Sequence, residues 1–308
     1  MKLLLLALSF YAFLAGGLHP KWFGARDTRD DPGSFLTREE SDYYSGVGRV
    51  ECLATRIRID KKTNRGAIDH ATGLPETEDI TRGVTGFHVG SFTLLATNAH
   101  AFEVDYLNVH ARRIEKRMVE PEKCWVAFYH PGSGQLIEKV AIAGARIRWN
   151  EPGILGDRSN DIALVKLVRE GNAATTTLPY EVDQADQMDG TNVTIVGFHS
   201  DLQRSTIVRK GTGTIYRAAP NFFGARAAAE EGLPYKNRRG VFVGDYPSNH
   251  GASGSPILNS NREVIGIHQG QADHEIKGVS LRQFNHDHNY NIGIFLDKKF
   301  HQDVEEMK

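Results

Sequence analysis

Cysteine is nearly absent: the 308 residues hold two, Cys52 and Cys124. No Cys/His set therefore has the spacing of a structural zinc finger. Methionine, at 4 residues, is scarce beside 31 glycines, a balance that leans toward turns and strands rather than long helices. A dominant charge sign is missing as well. Lys+Arg number 37 and Asp+Glu 38, so nothing global draws the chain to nucleic acid or to an anionic membrane surface. Beyond the N-terminus no stretch is apolar enough to cross a bilayer, and there is no internal repeat or low-complexity tract. With 40% hydrophobic and 24% charged residues, the composition is that of an ordinary soluble protein of one large or two modest domains.

What is present begins with Lys2, the apolar run Leu3 to Leu14 and then Ala15-Gly16-Gly17. A positive start, a short apolar stretch and small residues predict a signal peptide over 1–17, cut after Gly17. The alternative, an uncleaved anchor, is disfavoured because the run is too short to span comfortably. The chain is expected to be exported, secreted or periplasmic, with no stable membrane association after cleavage. In that setting Cys52 and Cys124 are expected to form one disulfide, worth about 4 kcal/mol for so long a loop. Two buried free thiols are the alternative. Residues 18–46 are polar, rich in charge and without periodicity, and are expected to be a propeptide or a mobile arm.

Strand patterns start at Val47. Gly48 to Ile59, Val84 to Gly90 and Phe92 to Thr97 read as strands, with Asp60 to Arg82 as a long surface loop. Cys124 to His130, Leu136 to Trp149 and Asp161 to Val168 continue the pattern. After a weakly patterned linker, Arg169 to Met188, strands resume at Thr191 to Phe198, Thr206 to Tyr216, Val241 to Tyr246, Ser255 to Leu258, Glu263 to Gln269 and Asn291 to Leu296. A short helix is expected around Ala225 to Glu231. Another is expected over Asp297 to Met307, with Phe300 and Val304 on one face. Two runs of short strands predict an all-β fold of two antiparallel barrels, over 47–175 and 176–308.

The chemistry concentrates in Asn249-His250-Gly251-Ala252-Ser253-Gly254-Ser255-Pro256. Glycines around a serine allow a turn so tight that the amides of Gly251 and Ser253 converge as an anion hole beside the hydroxyl. Such a serine needs a base and an orienting acid. His100, in Thr97-Asn98-Ala99-His100, and Asp161, in Asn160-Asp161-Ile162-Ala163-Leu164-Val165, supply them. Taken singly, each has a bland alternative: a loop histidine, a strand-start acid, a turn serine.

These three stretches, in the order His, Asp, Ser, resemble the signatures of the trypsin-like (chymotrypsin-fold) serine peptidases. The resemblance implies two six-stranded barrels with the site between them. It also implies Ser253 as nucleophile, His100 as base, Asp161 as its partner, and the Gly251 and Ser253 amides as oxyanion hole. Ala252 stands where zymogens of this family carry an acid, and Ala101 where many animal members carry a cysteine. Both departures, with Asn261 to His268 and Asn289 to Leu296, resemble the bacterial glutamyl endopeptidases. That branch implies Ser248 and His268 as substrate-binding residues for a glutamate (or aspartate) side chain, with a protonated imidazole as the positive partner. The alternative for His268 is a buried strand histidine bonded to backbone. Gln269 and Gln271 depart from that branch.

The expectation is an exported serine endopeptidase acting on protein or peptide substrates through an acyl-enzyme, monomeric, without cofactor, nucleic acid or metal. His286-Asp287-His288 with Asp273 and His274 read as a solvated loop rather than a metal site. The rivals are a protease-like binding protein without turnover, and an α/β esterase.

Overall fold

A computed structural model describes residues 32–60, 65–67, 69, 71, 73, 76–108, 113–148, 161–171, 176–200, 205–216, 240–248, 251–271 and 291–308. The expected signal peptide, the start of the arm, the helix near Ala225 and the loop from Asp273 to His288 lie outside the described residues.

Six strands close the first barrel: β1 (Val47–Ile57), β2 (Thr77–His88), β3 (Leu94–Thr97), β4 (Cys124–Tyr129), β5 (Leu136–Arg148) and β6 (Ile162–Leu167), in the order β1-β2-β3-β6-β5-β4. Six more close the second: β7 (Thr191–Gly197), β8 (Arg209–Tyr216), β9 (Val241–Gly244), β10 (Pro256–Leu258), β11 (Val264–Gln271) and β12 (Asn291–Phe295), in the order β7-β8-β9-β12-β11-β10. The two orders are the same, and every barrel pairing is antiparallel. Two closed barrels leave no room for the parallel sheet an α/β esterase needs, so that rival falls.

The apolar side chains sort into three clusters. Val50, Phe102, Val126 and Val165 fill the first barrel; Val193, Ile195, Ile215 and Ile257 fill the second. A third cluster, with Phe87, Leu94, Leu164, Phe198, Ile267 and Phe300, lies between them. Strand β6 shows how the sequence achieves this. Its period of two sends Ala163, Val165 and Leu167 into the barrel and Ile162 and Leu164 to the junction. Both faces are buried, so the strand reads as a continuous apolar run.

Two expectations are corrected. The arm is not without structure from residue 32 onward: helix α1 (Arg38–Tyr43) starts at Thr37, whose side chain and that of Glu40 cap each other's backbone. It is pinned to the second barrel by Glu40 to Lys210 at 2.7 Å and by the Tyr43 hydroxyl donating to the Arg262 carbonyl at 3.1 Å, while Tyr44 is buried at the junction. The stretch from Asp60 to Arg82 is not all loop either. From Thr77 it is strand, paired with β1 from Ile57↔Thr77 to Cys52↔Arg82, and its alternating half-exposed residues hide the pattern.

Cys52 and Cys124 face each other across β1 and β4, with Cα atoms 4.1 Å apart, and are joined as a disulfide. The chain ends in α2 (Lys298–Met307), capped by Asp297, with Phe300 and Val304 in the junction cluster. On the same helix Asp303 is buried, which alone would favour its neutral form. Contacts from Lys299 (2.8 Å), Arg148 (2.7 Å) and Arg146 (3.0 Å) outweigh that and hold its carboxyl below the usual range. The helix thereby ties the end of the chain to β5 of the first barrel. Among the described residues no helix is long and apolar enough to cross a membrane.

Candidate active site

His100 and Asp161 are brought together by adjacent strand ends. Strands β3 and β6 pair through Ala163↔Thr97, so the chain leaving β3 and the residue entering β6 lie side by side. His100 sits in a single turn, Ala99–Phe102, that follows β3. The Asp161 carboxylate grips this residue twice: Oδ1 accepts from the His100 backbone N–H at 2.8 Å, and Oδ2 accepts from ring Nδ1 at 2.6 Å. Asn98 Nδ2 donates to the Asp161 carbonyl at 2.9 Å, tying the two stretches again. A carboxylate at Nδ1 assigns the ring proton to that nitrogen and leaves Nε2 with a lone pair, the form a general base requires.

Ser253 lies in a turn with Gly251 at φ 90° and Gly254 at φ 83°. Both values belong to the left-handed half of backbone space, and at Gly254 there is no room either. A Cβ there would stand 2.0 Å from the Thr85 carbonyl oxygen. Among the described residues the N–H groups of Gly251 and Ser253 have no protein acceptor, which leaves two open donors beside the hydroxyl. The Ser253 hydroxyl donates to the Gln269 carbonyl at 3.1 Å, and no hydrogen bond joins it to His100. Apo geometry at such sites is often loose before substrate arrives.

In the sequence Gln269 stands out only as a departure from the glutamyl branch. It occupies an irregularity in β11, where pairing with β12 jumps from His268↔Gly293 to Gly270↔Ile292. An extra residue in a strand re-aims its own side chain. The Gln269 amide reaches across the cleft and donates to Asp161 Oδ2 at 3.3 Å. Nothing local in the sequence marks such a bulge.

The two expected substrate-binding residues belong to one buried polar network. The Ser248 hydroxyl donates to Asn291 Oδ1 at 2.5 Å, Asn291 Nδ2 donates to the Tyr246 carbonyl, and the Tyr246 hydroxyl meets His268 Nδ1 at 3.2 Å. The expected protonated imidazole is not what the free protein holds. Burial, with the His100 ring nearby as a lesser cause, lowers the His268 pKa to about 3. Burial pushes the Tyr246 hydroxyl the other way, so it remains a phenol. The phenol and Nδ1 share one hydrogen bond; where the phenol is its donor, the neutral imidazole carries its proton on Nε2. Tyr246 and Asn291 were not legible as site residues in the sequence. Among the described residues no group of three or more His, Cys, Asp or Glu is placed to hold a metal.

A histidine held by an aspartate thus stands in the first barrel and a glycine-flanked serine in the second. Residues 84–267, more than half of the chain, match the trypsin-like peptidase domain. The chain belongs to that family, and its activity class is that of a serine endopeptidase. Among solved structures, it resembles the thermostable serine protease AL20 from an extremophilic microorganism, with 13% identity, TM-score 0.51, and coverage of 86% of this chain and 97% of that one. It also resembles the scabies mite inactivated protease paralogue S-D1, with 11% identity, TM-score 0.51, and coverage of 89% and 96%. A Glu endopeptidase aligns at 13% identity and TM-score 0.49, covering 94% and 96%. Such identities speak to the fold alone. No curated protein sequence is significantly similar.

Proposed function

We propose that the chain is an exported endopeptidase in which Ser253, His100 and Asp161 act together and in which glutamate, or aspartate, is preferred before the cut bond. The observation that carries the first part is the two-point grip of Asp161 on His100 beside a turn whose glycines leave two amides open. In this reading the Ser253 hydroxyl leaves the Gln269 carbonyl, passes its proton to His100 Nε2 and bonds to the substrate carbonyl carbon. The amides of Gly251 and Ser253 take the oxyanion. The imidazolium, steadied by Asp161, returns the proton to the departing amine, and water then hydrolyses the acyl-enzyme by the reverse sequence of roles.

The acid preference is supported by the linkage of Ser248 and His268 through Asn291 and Tyr246; to meet a carboxylate, the Ser248 hydroxyl would turn its proton from Asn291 Oδ1 to the substrate. A carboxylate entering a dry pocket needs donors, and a neutral imidazole supplies one N–H. Export is supported by the N-terminal pattern of Lys2, apolar run and small residues, and by the disulfide. A monomer acting on protein or peptide substrates completes the reading.

The fold is also that of an inactivated paralogue, so turnover is the point to test. Wild type should be labelled by an organophosphonate probe and should cleave a mixed protein digest. Ser253→Ala should do neither while remaining folded by circular dichroism. Labelling that survives this substitution would put the nucleophile elsewhere.

A further inference from the structure

The turn that carries Ser253 belongs to the second barrel, yet the residue that holds it belongs to the first. Thr85, on β2 and fully buried, bonds to it at two points. Its hydroxyl donates to the Gly251 carbonyl at 2.9 Å and accepts from the Phe198 N–H at 3.1 Å. Its own N–H donates to the Ser253 carbonyl at 2.7 Å, and its carbonyl accepts from the Thr97 hydroxyl at 2.7 Å. Glycines clear the space around it: a Cβ at Gly254 would stand 2.0 Å from its carbonyl oxygen, and one at Gly197 would stand 3.0 Å from its hydroxyl.

The consequence is geometric. The hydroxyl fixes the peptide plane that follows Gly251, and the N–H fixes the plane that follows Ser253. The Ser253 amide lies in the plane between these two, and the Gly251 amide shares its Cα with the first. At φ 90° and without a Cβ, Gly251 offers little steric resistance to a peptide rotation that would turn an oxyanion donor away. A buried hydroxyl with one fixed acceptor supplies the resistance that the glycine lacks.

We propose that Thr85 is a positioning residue for the oxyanion site, holding the Gly251–Ser253 turn from the opposite barrel so that both amides face the substrate carbonyl. It rests on the reading of Ser253 as nucleophile. Thr85→Val removes the hydroxyl at nearly constant shape, and Thr85→Ser keeps it. The Val variant should lose about 10–100-fold in kcat, with KM within about twofold, and its organophosphonate inactivation should slow by the same factor. The Ser variant should stay within about threefold of wild type on each. Hydrogen exchange across residues 251–255 should quicken in the Val variant only. A role confined to folding would lower Tm and leave kcat per folded molecule unchanged, and that result would overturn the proposal. If the Val variant does not fold, Thr85→Cys, with its weak S–H donor, takes its place in the same comparisons. Turnover that survives Ser253→Ala would remove the nucleophile reading alone. The exchange measurement would then still decide: quicker exchange in the variant upholds the hold of Thr85 on the turn, and unchanged exchange ends it.

Discussion

His88 lies on β2, three residues beyond Thr85, with no exposed surface, its ring stacked on Phe128 at 5.4 Å and parallel to within 5°. Its Nδ1 meets the Leu94 carbonyl at 3.2 Å, and Nε2 is buried with no partner. Burial lowers its pKa from 6.5 to about 4, only partly offset by the Leu94 and Ser91 backbone and by the charge of Glu138. The unfolded chain thus takes up a proton near pH 6.5 that the folded one refuses until about pH 4. The stability His88 permits is intact above pH 6.5 and is lost as pH falls toward 4. At pH 5 the deficit is 1.5 pH units of a 1.36 kcal/mol slope, about 2 kcal/mol. His88→Leu removes this term. It does not orphan the Leu94 carbonyl, which also accepts from the Val89 N–H at 3.1 Å. Urea unfolding at pH 7.5 and pH 5.0 should therefore show the wild type losing about 2 kcal/mol more than the variant between the two conditions. The comparison of pH differences cancels whatever packing the substitution costs at both. Equal losses in the two proteins would show that His88 is hydrated or already paired, and the reasoning from burial would be wrong.

Two further outcomes concern the site. His268→Ala should reduce turnover of substrates with glutamate before the cut bond far more than turnover of others; uniform losses in a substrate panel would leave His268 a structural role only. Gln269→Glu should set a second carboxylate against Asp161 Oδ2 in place of the amide donor and lower kcat/KM by about tenfold. An unchanged kcat/KM would mean that the Gln269 amide contributes nothing to the pair.

What could be read from the sequence follows from how local each requirement is. A serine between glycines announces itself because the left-handed φ values at Gly251 and Gly254 must be met by those residues themselves. Helix α2 was legible because Phe300 and Val304, one turn apart, both needed burial and Asp297 stood ready as a cap. Helix α1 carried its own signal too, Thr37 with Glu40, but five polar residues and a half-buried Tyr43 make no apolar stripe. What holds it lies on Lys210 and Arg262, far along the chain. The same distance hid the supports of the site. Thr85 reads as any strand threonine, since its partners at Gly251, Ser253 and Phe198 come from loops of the other barrel.

His100 and Asp161 stand in one barrel and Ser253 in the other, so their mutual placement is a property of the junction and of no single stretch. Gln269 reaches Asp161 from one side, and Thr85 reaches the Ser253 turn from the other. These two contacts cross the cleft in opposite directions, so a relative slide of the barrels cannot preserve both. The junction cluster with Phe87, Leu164, Phe198 and Ile267 resists such a slide by close packing. That arrangement explains why buried residues of both barrels sit beside the proposed triad. It also explains why substitutions among them should register first in kcat and only secondarily in substrate affinity.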